Sequence, residues 1–166
     1  ATPAEGLSGK FIVQDKKVFG KIKGVTDKDY YTNSFHVPVG FPISIKEKLD
    51  IEAPYHSLCN GGHITYVELD DYPTEDVIMD ILDYAYTNTN INYVGINFHI
   101  KYCKDCGTHM ENNEHRCPKC NSDNIQGISR VTGYLSLDER FGAGKLAERK
   151  DRVSHTNGNS FYREEE

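Results

Sequence analysis

Four of the five cysteines in this chain stand as two pairs, Cys103-x-x-Cys106 and Cys117-x-x-Cys120, with ten residues between them. A two-residue spacing lets both sulfurs of one turn point at one centre. The ten intervening residues are enough for a short hairpin arm that brings the second pair opposite the first. Four thiolates at about 2.3 Å in a tetrahedron suit zinc, with iron as the second choice. With all four ligands from protein, no open coordination position remains, so the site is expected to be structural rather than catalytic. Gly107 and Pro118 fit tight knuckle-like turns. A bound metal would also supply folding energy that this polar stretch lacks. A redox Cys-x-x-Cys normally occurs once, at a helix start, which argues against a redox pair. His109 and His115 lie between the pairs and read as loop histidines. Cys59 stands alone and reads as an incidental or buried thiol. An odd count with clustered pairs points to reduced thiols in a reducing compartment rather than an oxidised framework.

A second segment, Arg130-Val131-Thr132-Gly133-Tyr134-Leu135, follows the cysteines closely. Read alone, it is a strand with a glycine at a bend or bulge. His36, His56, His63 and His99 fall on strand or loop segments and read as structural histidines.

The elements that must position these residues divide near residue 101. Residues 1–100 read as mixed α/β. Phe11 and Val13 suggest a short strand, and Asn33-Ser34-Phe35-His36-Val37-Pro38-Val39 a second, pushed to an edge or an end by Pro38. Residues 43–49 fit a short helix or a loop. Gly61-Gly62 breaks the chain before a strand, His63-Ile64-Thr65-Tyr66-Val67-Glu68-Leu69. The clearest helix follows. Thr74 is its N-cap, and Glu75 and Asp76 occupy its first turn. Val77, Ile78, Ile81, Leu82 and Ala85 then repeat at helical spacing. Residues 88–92 stop it, and 93–100 read as a strand with Val94, Ile96, Phe98 and Ile100 on one face. Strand, helix and strand in succession predict a βαβ crossover, as in parallel sheets and barrels. Residues 101–127 are polar and cysteine-bearing, residues 128–137 return to strand character, and 145–155 form a charged helix candidate behind Gly142 and Gly144. The remaining tail is polar.

With 166 residues the chain can bury a core without disulfides. Eleven tyrosines and seven phenylalanines are too many for a disordered chain. A net charge of −6 disfavours a generic nucleic-acid or anionic-membrane binder. Residues 101–130 carry five basic against four acidic side chains, a net +1 and no basic stripe. No apolar run approaches the roughly 20 residues that cross a bilayer, and no secretory signal is visible. The start at Ala1 without a methionine predicts a piece of a longer protein.

The chain resembles the C-terminal region of the anaerobic (class III) ribonucleoside-triphosphate reductases. That family ends in a four-cysteine zinc site followed closely by a glycyl-radical motif, commonly Arg-Val-Cys-Gly-Tyr-Leu-Gly, then a Gly-Lys and a basic helix ending near a histidine. Here the sequence reads Arg130-Val131-Thr132-Gly133-Tyr134-Leu135-Ser136, then Gly144-Lys145, then 149–155. Thr132 and Ser136 depart from the commonest form, at positions that do not carry the radical. Upstream, Thr2-Pro3-Ala4-Glu5-Gly6, the 31–39 segment and His56-Ser57-Leu58-Cys59-Asn60 are also similar, so the resemblance spans nearly the whole chain.

The resemblance implies an α/β fold, the C-terminal part of a ten-stranded glycyl-radical-enzyme barrel with an appended zinc ribbon. Residues 1–100 would be terminal strands and helices of the barrel, 101–127 the zinc ribbon, and 128–166 the glycyl-radical loop with a C-terminal helix and tail. It implies Gly133 as the radical site and Cys103, Cys106, Cys117 and Cys120 as structural zinc ligands. A radical on a glycine α-carbon is shared with the flanking amide and carbonyl, and the absent Cβ lets the centre flatten. The radical would be installed by a separate activase that uses S-adenosylmethionine and an iron–sulfur cluster. It would then pass to a cysteine on another loop, whose thiyl takes the ribose 3′-hydrogen of a ribonucleoside triphosphate. Formate or a thioredoxin-like system would supply the electrons. That cysteine loop and the regulatory domain lie upstream in the family, so the isolated piece is expected to be inactive, and Cys59 is not given the thiyl role. Glu5 either faces the substrate pocket by analogy or is a solvated carboxylate. The parent is expected to be a cytoplasmic homodimer serving deoxyribonucleotide synthesis, with no nucleic-acid or membrane partner. Two other readings stand beside this one: a stand-alone glycyl-radical subunit that docks on a partner barrel, and a non-catalytic zinc-ribbon interaction module.

Overall fold

A computed structural model describes residues 5–111, 114–130 and 135–156, with side chains from residue 7 onward. The first element is a helix, α1 (Glu5–Phe19), where alternation of Phe11 and Val13 had suggested a strand. Both of those side chains face outward, while Ile12 between them is fully buried. The lysine- and glutamine-containing run around them favours helix, and one buried residue per helix leaves no periodic signature. The expected strand at 33–39 is irregular as well. Ser34 adopts a left-handed φ of 56°, and Phe41 N–H closes a turn on the Pro38 carbonyl at 2.9 Å.

Residues 43–49 resolve in favour of helix. Ser44 caps α2 (Ile45–His56) through a reciprocal capping box with Glu47. β1 (Thr65–Glu68) follows, buried at every position. Thr74 caps α3 (Glu75–Asn88) by accepting from Val77 N–H, as its position predicts. β2 (Val94–Asn97) then lies parallel to β1, Thr65 opposite Val94 and Glu68 opposite Asn97, which completes the βαβ unit. Leu49, Ala53, Val67, Leu69, Ile81, Ala85 and Ile91 form its core, with Val94, Ile96 and Phe98 against it.

The strand expected over 93–100 divides at Phe98-His99. Ile100 starts β3 (Ile100–Cys103), in a different sheet. That second sheet is antiparallel, in the order β4 (His109–Met110), β3, β5 (Ile125–Arg130), β6 (Leu135–Leu137). Its own small core consists of Cys103, Met110 and Cys117, with Cys106 and Ile125 packed on them. A core this small, with cysteines at one end, buries little apolar surface.

After a single 3₁₀ turn (Asp138–Arg140), α4 covers Ala143–Asp151 and stops short of the expected end at 155. Its approach to α1 is close. A Cβ on Gly144 would lie 3.2 Å from the Gly9 Cα and 3.1 Å from the Asp29 carbonyl oxygen. The chain beyond α4 is extended and bridges two segments. Val153 N–H donates to Val39 O at 3.0 Å, and His155 N–H to Glu68 O at 2.9 Å. Among the described residues no helix is long and apolar enough to cross a membrane.

Candidate metal centre and the polar seam at Arg130

The four cysteines come together as their spacing predicts. Each ligand pair sits on a knuckle with the same hydrogen bonds. Gly107 N–H donates to Cys103 O at 2.9 Å, and Asn121 N–H to Cys117 O at 2.8 Å. Both turns end in a left-handed residue, Gly107 at φ 71° and Asn121 at φ 58°. Glycine and asparagine are the residues that tolerate that conformation best. The knuckles are tied to one another through Asp105, which accepts from Asn124 Nδ2 at 2.8 Å and from the Ser122 hydroxyl.

One sulfur from each cysteine lies within 4.8 Å of the other three. Cys103 and Cys120 Sγ are 3.6 Å apart, and Cys106 and Cys117 Sγ 3.4 Å. A disulfide would need about 2.05 Å. A tetrahedron with ligand bonds of about 2.3 Å has edges of about 3.8 Å. The sulfurs therefore already stand close to the vertices that a zinc-sized ion requires. Thr108, whose hydroxyl and backbone N–H face Cys106 Sγ, holds that thiol down to about 6. The Ser122 N–H favours the Cys120 thiolate too, but desolvation and the other sulfurs push its pKa up to about 12. Four thiolates at this spacing repel one another unless a cation sits among them, so the donor set fits a metal ion such as zinc. His109 and His115 do not belong to this cluster.

β5 leads from this centre to Arg130, and β6 resumes at Leu135 with Arg130 and Leu135 as register partners. Gly133, between them, lies outside the described residues, as does the side chain of Glu5. What is described is how the strand end is held. Arg130 Nη2 donates to Glu68 Oε1 at 2.7 Å, and its guanidinium sits 3.7 Å over the Tyr66 ring. Asn97 Nδ2 donates to the other Glu68 oxygen. Burial raises the Glu68 carboxyl, but Arg130, Arg152 and Asn97 more than reverse this and hold it down to about 2. His155 Nδ1 accepts from Glu68 N–H at 2.9 Å, so the segment after α4 locks the same residue. Arg152, fully buried, donates to Glu148 Oε1 at 2.9 Å. A cavity of about 30 Å³, the space of a single water, lies among Arg130, Glu68, Lys48, His36, Glu148 and His155.

Sequence reasoning missed this seam of buried charge. One signal was available: Glu68 interrupts an apolar run on a strand of a βαβ unit, and a buried carboxylate there demands a cation. The histidines behave mostly as expected. His56 Nε2 pairs with Thr65 Oγ1 at 2.9 Å, and His99 Nε2 lies 3.2 Å from Asp138 Oδ2. His36 and His63 converge on Glu52, which the sequence did not foreshadow. Cys59 is half-buried in the turn after α2 and makes no approach to the cysteine cluster.

Residues 1–155 match the family model described as anaerobic ribonucleoside-triphosphate reductase. The chain is 42% identical over 168 residues to the enzyme of that name from Escherichia coli K12, covering 93% of this chain and 23% of the relative. It is 38% identical over 164 residues to the phage T4 enzyme, covering 93% of this chain and 27% of the relative. Among solved structures, an anaerobic ribonucleotide reductase superposes with a TM-score of 0.76 at 21% identity, over 92% of this chain and 24% of that one. The Thermotoga maritima enzyme, solved in complex with dATP and CTP, gives 0.67 at 21% identity over 91% and 23%. At that identity the likeness is one of fold. The chain spans about a quarter of the length of the curated relatives it matches. Together these matches place it: the chain belongs to the anaerobic ribonucleoside-triphosphate reductase family.

Proposed function

We propose that this chain is the radical-bearing portion of an oxygen-sensitive ribonucleotide reductase, and that Gly133 is its radical site. The observation that carries the reading is that one strand, β5, joins the cysteine centre to a clamped end at Arg130. Within that sheet β5 runs from Ile125, opposite Cys103, to Arg130, which is clamped on Glu68 and Tyr66 three positions before Gly133. A residue that must give up and regain an α-hydrogen needs a fixed approach, and rigid strands on either side supply one.

In this reading zinc fills the four-thiolate site and cross-links the sheet. An activase, using S-adenosylmethionine and an iron–sulfur cluster, removes one α-hydrogen from Gly133. In the intact reductase Gly133 then takes a hydrogen atom from a cysteine thiol elsewhere in the parent, leaving a thiyl. The thiyl takes the 3′-hydrogen of a bound ribonucleoside triphosphate, and the 2′-hydroxyl departs as water. Formate or a thioredoxin-like dithiol provides the two electrons that balance the reduction. The rest of the parent chain and the barrel strands and helices of residues 1–100 complete the site, and the parent is a homodimer. The charge balance of residues 101–130 gives no support to a nucleic-acid-binding ribbon.

The test is anaerobic activation of the intact reductase with its activase and S-adenosylmethionine, read by electron paramagnetic resonance. One α-hydrogen remains on a glycyl radical, so the expected signal is a doublet that Gly133→Ala abolishes. A doublet that persists in Gly133→Ala, or none under conditions that activate a control enzyme, overturns the assignment.

A further inference from the structure

Glu52 lies in the middle of α2 with its side chain fully buried. Its two oxygens have separate surroundings. Oε1 accepts from Lys48 Nζ at 2.5 Å and from Val37 N–H at 2.8 Å. Oε2 instead faces two imidazole nitrogens, His36 Nδ1 at 3.4 Å and His63 Nε2 at 3.8 Å. The second of these is beyond hydrogen-bond reach. His63 has a side chain only 1% exposed, and its Nε2 makes no hydrogen bond. The other ring nitrogen, Nδ1, lies 3.4 Å from Ser34 Oγ. A buried ring nitrogen that makes no hydrogen bond, 3.8 Å from a carboxylate oxygen, is costly.

We propose that His36, Glu52 and His63 form a second metal site, distinct from the cysteine centre, for a divalent first-row ion such as zinc. The ligand atoms all lie within 4.8 Å of one another. Bonds of about 2.0–2.2 Å to two nitrogens and one oxygen give tetrahedral edges of about 3.3–3.5 Å. The two edges to Glu52 Oε2, 3.4 and 3.8 Å, are within a few tenths of an ångström of that, and the two imidazole nitrogens lie within 4.8 Å of each other. The His36 and His63 rings stack face to face, with centroids 4.7 Å apart. Lys48 and Val37 N–H hold Oε1, which leaves Oε2 turned toward the two imidazoles, the way outer hydrogen bonds orient metal ligands. Two imidazoles and one carboxylate leave a fourth position for water, unlike the closed cysteine site. The Lys48 charge opposes a cation, so this site fills after the four thiolates.

The experiment uses the full-length protein, stripped of metal and titrated anaerobically with Co²⁺. The first equivalent should give thiolate-to-cobalt charge-transfer absorption in the near ultraviolet. A second, weaker equivalent should add only visible d–d bands, without further charge transfer. His63→Gln and His36→Gln should each lose the second equivalent and keep the first, whose charge-transfer band reports that the chain is folded. X-ray absorption of the zinc-loaded wild type needs no variant: a mixed sulfur and nitrogen/oxygen shell is expected. Saturation at one equivalent, a purely sulfur shell, or a second equivalent retained in both variants overturns the proposal.

Discussion

Arg130→Met isolates what the seam contributes to holding the strand before Gly133. Methionine keeps much of the side-chain length over Tyr66 and removes the charge that meets Glu68. Glu68 would then keep Asn97 as its hydrogen-bonding partner and Arg152 as its nearby charge. In the intact seam its carboxyl is held down to about 2 from an ordinary 4.5. At about 1.4 kcal/mol per pKa unit, that depression corresponds to on the order of 3 kcal/mol of stability at neutral pH. Breaking a buried pair by removing one partner costs about 3–5 kcal/mol, which agrees. The chain contains no tryptophan, so urea unfolding of the zinc-loaded protein is best followed by circular dichroism. With a slope of about 1–3 kcal/mol/M, the midpoint should fall by roughly 1–3 M. Adding Glu68→Gln to Arg130→Met should restore most of the loss, because the cost lies in the uncompensated charge. The pH dependence has a definite sign. Removing Arg130 takes away the largest lowering charge, so the Glu68 pKa rises, the folded variant takes up a proton before wild type does, and the gap to wild type narrows as pH falls through that raised pKa. A loss under about 1 kcal/mol, or a double variant as weak as the sum of the two singles, would refute this account of the seam.

Two further outcomes follow from the same structure. Cys117→Ser, at a sulfur almost wholly buried, should lower bound zinc by one equivalent by elemental analysis. Hydrogen exchange should then speed up in β3, β4 and β5 while β1, α3 and β2, which have their own core, stay protected. His155 is held down to about 4 by its burial and by Lys48, against an ordinary 6.5. The unfolded chain therefore binds more protons between those values. His155 contributes stability that is complete above about pH 6.5 and is lost as pH falls toward 4. His155→Gln should flatten the pH slope of the unfolding midpoint in that window, and an unchanged slope would exclude His155 as its source.

The part of the candidate site that could be read from sequence is the part made by neighbours in the chain. Each cysteine knuckle closes on itself within five residues, so spacing alone, with Gly107 after the first pair, determines it. The capped, periodic α3 and the βαβ unit around it are legible for the same reason. α1 was not, because a helix that buries Ile12 and exposes Phe11 and Val13 has no apolar stripe to detect. The 33–39 segment reads as a strand, but Val37 N–H finds its acceptor on the Glu52 side chain instead of a neighbouring strand. The seam is longer in range still. Arg130 reaches Glu68 across 62 positions and His155 reaches it across 87. No local pattern encodes which cation will meet a buried carboxylate, only that one must. That division has a functional consequence. The cysteine cluster is built from its own short stretch, whereas the clamp at Arg130 draws on β1, β2 and the segment after α4. The β5 end at Arg130 is thereby fixed by the completed fold, and on the proposed reading radical chemistry at Gly133 follows folding.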